Sequence, residues 1–296
     1  MTGKWKIHLV QLPRPFAIPA IVLAVLLGGI ISGAAALPLG LACLAAALLT
    51  ASGHTFNTYL DHEWTKLDKG EAAERSRSKV YTAGQQPIAS GIMSPREVLT
   101  NALVTLGLSA IPAYFVGAMV GPWIWIVWGI GASITFWYSW SKLHWHPELV
   151  IGFFFATLPV WAGMAASGTV DLWRGFVIGL PLFLFWGLAA EPVDQWMDWE
   201  PNWPKGGRSL GMLIGRLNVP IRWIISFAVI MAFVVQAALV GLAWLAPLSL
   251  LSLIAIVPLM VGCIWIDYDK KKGLIWALSG AYVFTALLVV GQWIGG

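Results

Sequence analysis

LPLGLACLAAALLTASGHTFNTYLDHEWTKLD, residues 37–68, runs without a break from an apolar stretch into an asparagine and three acids. Residues 37–60 match the ~20 residues that a helix needs to cross a bilayer. Carboxylates at the end of such a segment are costly beside lipid and point to a function.

The rest of the chain shares the bias. Its 296 residues are 58% hydrophobic and 11% charged, with mean hydropathy +0.76, whereas about a quarter of a soluble domain is charged. The chain therefore reads as a single all-α, polytopic membrane domain over residues 1–296. Cys43 and Cys263 sit inside apolar runs, so neither a disulfide framework nor a thiol metal site is expected. The start, MTGKWKIHLVQLPRPF, is basic and broken by prolines, which argues against a cleavable signal peptide.

Apolar runs near spanning length predict nine helices, at about 16–35, 37–60, 97–118, 121–140, 149–168, 175–191, 220–243, 246–266 and 273–294. Threaded alternately across a membrane, they place every Lys and Arg except Arg174 on the side of the N-terminus. That asymmetry marks the side as cytoplasmic, in the cell (inner) membrane, and explains the net charge of +4 without nucleic acid as a partner. Every acid except Asp171 falls there too, which the positive-inside rule does not require. Two long loops on this side, about 61–96 and 192–219, hold nearly all the chemistry; loops this long are usually functional or disordered.

At the root of the first loop, Asn57 and Asp61 are spaced i, i+4, and Asp68 follows at i+11, so a continuing helix projects all three from one face. In EPVDQWMDWEPN, Glu191, Asp194 and Asp198 form a second stripe at i, i+3 and i+7. Pro192 is tolerated there if the helix starts or kinks beside a polar cavity. Hard oxygens on two facing stripes suit Mg²⁺, which takes one or two carboxylates and completes its coordination with water and substrate phosphates. Acids at membrane helix ends are often only solvated caps, but two matching stripes on one face favour a shared site. Glu63, Glu71 and Glu74 lack such partners and read as solvated. His54 shares the face of Asn57 and Asp61, in the cavity or in helix packing. His144 and His146, with no third ligand, read as an interfacial loop. Trp137, Trp140, Trp145, Trp173 and Trp203 fit a membrane-interface belt, while Trp196 or Trp199 could face a carbocation.

Taken in order, the motifs resemble the UbiA superfamily of intramembrane prenyltransferases. NTYLDHEWTKLD resembles its first Asp-rich motif and DQWMD its second. QQPIASGIMS (85–94), SKLHWHPELVIGFFFATLPVWAG (141–163) and KGGRSLGMLIG (205–215) resemble three further segments, so the likeness covers about residues 50–217. The departures are Thr65 and Asp68 in place of an earlier Asp, Gln86 for an Arg, and Pro147 for a Gly. They bear on the acceptor more than on the donor.

The resemblance implies a nine-helix transmembrane bundle with cytoplasmic cap loops over a cavity open to lipid. It implies Mg²⁺ held by Asn57, Asp61, Asp68, Glu191, Asp194 and Asp198, with Asp61, Asp194 and Asp198 catalytic. Lys142, Arg77, Lys205 and Arg208 would contact the diphosphate of a polyprenyl donor, whose ionisation gives an allylic cation that alkylates a hydrophobic acceptor, aromatic or lipid. Two rival readings are a membrane terpene cyclase of the same superfamily, without an acceptor, and an ion-coupled transporter. Acids at one face rather than at the midplane argue against the transporter.

Overall fold

The computed structural model describes residues 7–15, 17–67, 87–266 and 268–296. Asp68, Arg77 and Gln86, with the rest of 68–86, lie outside the described residues. Within them the chain is helical, with no strand. The helices are α1 (Ile18–Ser32), α2 (Ala36–Glu63), α3 (Pro95–Val120), α4 (Trp123–Ser141), α5 (Pro147–Ala165), α6 (Leu172–Met197), a short α7 (Leu210–Arg216), α8 (Ile221–Gly241), α9 (Pro247–Trp265) and α10 (Lys270–Gly295).

Seven of these, α2, α3, α5, α6, α8, α9 and α10, are long and apolar enough to cross a membrane. This corrects the expected nine. α1 is apolar but has only 15 residues. α4 has the length, but its five tryptophans and Tyr138 lower its hydropathy. Both still pack in the bundle: Ala20, Ala24, Val25 and Leu27 of α1 are fully buried.

The outer faces are apolar at helical spacing, as lipid contact requires. Val104, Leu108, Ile111 and Phe115 are exposed along α3, and Trp223, Phe227, Ile230 and Val234 along α8. Lipid supplies no hydrophobic drive between helices, so the interior relies on close approach through small residues. α1 and α5 cross at Gly28 and Gly163: a Cβ on Gly28 would collide with the Val160 carbonyl, and one on Gly163 with that of Val25.

Two prolines explain the irregular turns. Pro159 and Pro192 lack an amide donor, and their rings clash with the carbonyl four residues earlier. Each follows a π-helical stretch, Phe153–Thr157 in α5 and Leu184–Ala190 in α6, where the ladder widens to i→i−5. Leu158 N donates to Phe153 O, and Glu191 N to Trp186 O. The second wide turn sets the direction in which Glu191 and Asp194 leave α6. Glu97, the first residue of the helix expected at 97–118, closes a capping box with Ser94 at the start of α3.

Candidate active site

The two acidic stripes meet at the end of a cavity of about 880 Å³, its open mouth included. Asn57 of α2 and Glu191 and Asp194 of α6 line its polar end. Phe154, Phe155 and Trp186 line its walls, with Leu274 and Leu278 of α10. The apolar lining suits hydrocarbon and the polar end suits a charged head.

The end of α4 joins the stripes, and of its residues that contact them only Lys142 was assigned to the site from sequence. Lys142 Nζ donates to Asp61 Oδ2 at 2.6 Å and to Asn57 Oδ1 at 3.0 Å. Ser139 Oγ donates to the same Asn57 oxygen at 3.2 Å, and Asn57 Nδ2 donates to Asp61 Oδ2 at 3.1 Å. On the other side Tyr138 donates its hydroxyl to Glu191 Oε1 at 2.8 Å, as does Gln195 Nε2 at 2.8 Å. The Lys142 ammonium lies 4.4 Å from the centre of the Tyr138 ring. Tyr138 thus touches both halves, its ring under the cation and its hydroxyl on the far carboxylate.

The remaining candidates are placed as follows. Asp61 is buried one turn from Asn57 and paired with Lys142, behind the cavity lining. Asp198 is buried but is not among the lining residues. α6 ends at Met197, so Asp198 is its C-cap residue, with non-helical backbone at φ −106° and ψ 5°. Lys205 Nζ donates to the Leu67 carbonyl, joining the two long loops. Arg208 donates to the Trp203 and Gly207 carbonyls and lies over the Trp203 ring at 4.3 Å. These two cations hold the cap together and do not line the cavity. His54 does line it, while His144 stacks on Trp140 and His146 accepts from Trp137 Nε1. Neither Trp196 nor Trp199 lines the cavity.

Besides Tyr138, Ser139 and Gln195, three further contributors were missed by sequence reasoning. Arg14 lines the cavity, and its Nε has no hydrogen-bond partner among the described residues; it had been counted only as a topology charge. Trp186, not the tryptophans beside the second motif, faces the cavity, and its indole nitrogen is equally unpartnered. Glu148 accepts from Leu210 N at 2.8 Å and Gly211 N at 3.3 Å, so α5 caps α7 with a carboxylate. Arg208 N also donates to the Lys142 carbonyl at 2.6 Å. The end of α4 is therefore tied to the second loop as well as to the stripes.

The donor set fits magnesium. Among the described residues, Asp61, Glu148, Glu191 and Asp198 are buried acids, and Lys142 is the one buried Lys or Arg. Buried carboxylates cost free energy unless they are paired, hydrogen-bonded or neutralised, and a bound divalent cation is one way to supply the missing positive charge. No three His, Cys, Asp or Glu side chains among the described residues form a ready-made metal site. Magnesium shared between one or two carboxylates and substrate phosphates does not need one.

A bundle of membrane helices capped at one end over an acid-headed apolar cavity is the architecture of an intramembrane transferase. The UbiA prenyltransferase family model matches residues 16–291, and the chain belongs to that family. It is a membrane prenyltransferase. The chain is 27% identical to the digeranylgeranylglyceryl phosphate synthase of Ignicoccus hospitalis over 258 residues, 85% of this chain and 75% of that one. It is 26% identical to the chloroplastic chlorophyll synthase of Arabidopsis thaliana over 230 residues, 72% of this chain and 55% of the relative. A UbiA homologue from Aeropyrum pernix K1 superposes with TM-score 0.71 at 16% identity, covering 95% of this chain and 99% of that one. A homologue from Archaeoglobus fulgidus bound to GPP and Mg²⁺ superposes with TM-score 0.64 at 19% identity, again over 95% and 99%.

Proposed function

We propose that the protein transfers a prenyl group from a polyprenyl diphosphate to a hydrophobic acceptor within the membrane, with Mg²⁺ as cofactor. The observation that carries this reading is the junction of Asn57, Glu191 and Asp194 at the head of a cavity whose walls are aromatic and aliphatic. One end of that cavity matches a metal-bound diphosphate and the other matches its hydrocarbon tail.

Asn57, Asp61, Glu191 and Asp194 would hold magnesium, which neutralises the charge that develops on the departing diphosphate. The chain's own residues do the rest. Tyr138 and Gln195 fix the Glu191 carboxylate through two hydrogen bonds to one oxygen, leaving the other oxygen for a ligand. Lys142 neutralises Asp61 while the site is empty of substrate and turns to the phosphates when they arrive; its ammonium is one contact from both stripes. Arg14 offers an unpartnered guanidinium nitrogen at the same cavity. The aromatic walls exclude water from the cation formed when the diphosphate leaves and stabilise it by cation–π contact.

Purified protein incubated with Mg²⁺, a series of prenyl diphosphates and a panel of aromatic and lipid acceptors should release diphosphate only with the metal, and mass spectrometry should find a prenylated acceptor. A cyclic hydrocarbon from donor alone would establish the cyclase instead. Absence of metal-dependent diphosphate release with every donor would overturn both.

We further propose that the capped end faces the cytoplasm. With Cys43 and Cys263 replaced by Ala, a Glu200→Cys variant should resist an impermeant thiol reagent outside intact cells and a Thr169→Cys variant should react; both positions are exposed in the fold. The reverse pattern would invert the topology.

A further inference from the structure

One side chain of the cavity that receives the active-site carboxylates is shared with a second space. Phe154 lines that cavity and also lines a second one of about 400 Å³, its open mouth included, between α1, α2, α4 and α5. Among the described residues, no other side chain lines both. The cavities are stacked about one helical turn apart on three of these helices. Ala17 faces the first and Ile21 the second; His54 faces the first and Thr50 the second; Leu158, one turn beyond Phe154, belongs to the second. On α2 the second cavity reaches down to Ala42, away from the acids at the far end of that helix.

The second cavity makes no polar demand on an occupant. Its Thr50 hydroxyl is satisfied by the Ala46 carbonyl at 2.8 Å, and the Trp128 indole nitrogen by Ser109 Oγ at 3.0 Å. Its other lining side chains are apolar. Such a space stays dry and takes hydrocarbon. The Phe154 ring is braced in place by an edge contact to Phe155 at 5.5 Å, and Phe155 in turn stacks on Trp186 at 5.1 Å.

We propose that Phe154 sets the length of the prenyl donor. The chain runs from its diphosphate down the first cavity and stops against this ring, and the second cavity is the room a longer chain would enter without it. The proposal rests on the donor reading given above and adds the residue that selects among donors.

The test uses the full-length protein in detergent with Mg²⁺. Affinities for inorganic diphosphate and for dimethylallyl, geranyl, farnesyl, geranylgeranyl and geranylfarnesyl diphosphates are read from ligand-induced thermal stabilisation. The wild type should bind best at one length and weaken beyond it. Phe154→Ala should raise the affinity for the next longer donor, relative to that optimum, by about tenfold or more, the scale on which apolar pockets discriminate chain length. Phe154→Trp should shift the optimum to a shorter donor. Ala45→Leu, which fills the second cavity, should leave the wild-type profile unchanged and cancel the gain in a Phe154→Ala background. Inorganic diphosphate should bind all four variants alike.

If neither diphosphate nor any prenyl diphosphate binds the wild type, the donor reading itself fails. If they bind and the length profile is the same in the Phe154 variants, the assignment of Phe154 alone is overturned. Should Phe154→Ala not fold, Phe154→Trp and Phe154→Leu decide by the same measurement.

Discussion

Asp194→Asn should lower metal-dependent diphosphate release by about 100-fold or more, the loss of a few kcal/mol that follows removal of an electrostatic catalytic contact. Asp194 lines the cavity at the carboxylate end, and a diphosphate reaches such a surface only through a bridging cation. Asp61→Asn should be as damaging, but for two reasons that can be separated. Its carboxylate accepts from the buried Lys142 ammonium at 2.6 Å, with each side chain only 8% exposed. Removing one partner of a buried ion pair destabilises a protein by about 3–5 kcal/mol, so loss of activity alone would be ambiguous. The double variant Asp61→Asn/Lys142→Met removes the orphaned charge. It should recover much of the thermal stability lost in Asp61→Asn and none of the activity. Glu63→Gln is the control: it lies off the stripe and its side chain is 40% exposed, so turnover should be unchanged. Normal metal-dependent turnover in Asp194→Asn would end the two-stripe mechanism, and a dead Glu63→Gln would show that the helical register is wrong.

How much of this was legible in the sequence depends on the range over which each signal acts. The apolar runs are local, and they located the membrane helices; the count of nine fell to seven because α1 is short and α4 is rich in tryptophan. Asn57 and Asp61 share a face because α2 continues through Glu63, which the unbroken pattern predicts. Asp198 follows the last residue of α6 and is not among the residues lining the cavity, which the i, i+7 spacing does not reveal. Arg14 and Trp186 reach the cavity from segments whose local pattern says only membrane edge and membrane interior. Tyr138 is the clearest case. Nothing in the sequence marks Tyr138 itself, yet it links Lys142, four residues on, to Glu191, 53 positions away in the chain. Such a residue is defined by the three helices around it and becomes visible only when they are assembled.

The assembly itself depends on the crossing of α1 with α5, and the expected result there is a loss of stability. In lipid the helices gain little from burying apolar area against each other, so their association rests on van der Waals contact at close range. A methyl on Gly28 would meet the backbone of Val160, and one on Gly163 the backbones of Val25 and Gly29. Backbone cannot rotate out of the way as a side chain can, so the helices must separate. Gly28→Ala and Gly163→Ala should each lower stability by about 1–3 kcal/mol, the usual cost of overpacking, despite the better helix propensity of Ala. Gly40→Ala is the comparison. That glycine is also within a helix, is exposed, and has nothing within 4 Å of the added carbon, so the change should be neutral or stabilising by up to about 1 kcal/mol. One separation of α1 from α5 makes room for both methyls, so Gly28→Ala/Gly163→Ala should cost less than the sum of the single variants. Thermal unfolding in detergent reads all four. Equal stability of Gly28→Ala and Gly40→Ala would show that the crossing is not tight, and strict additivity of the double would show that the two glycines do not share one contact. The same separation would move Phe154, which α5 carries two turns before Val160, so donor binding should weaken in step with stability at this crossing and remain unchanged in Gly40→Ala.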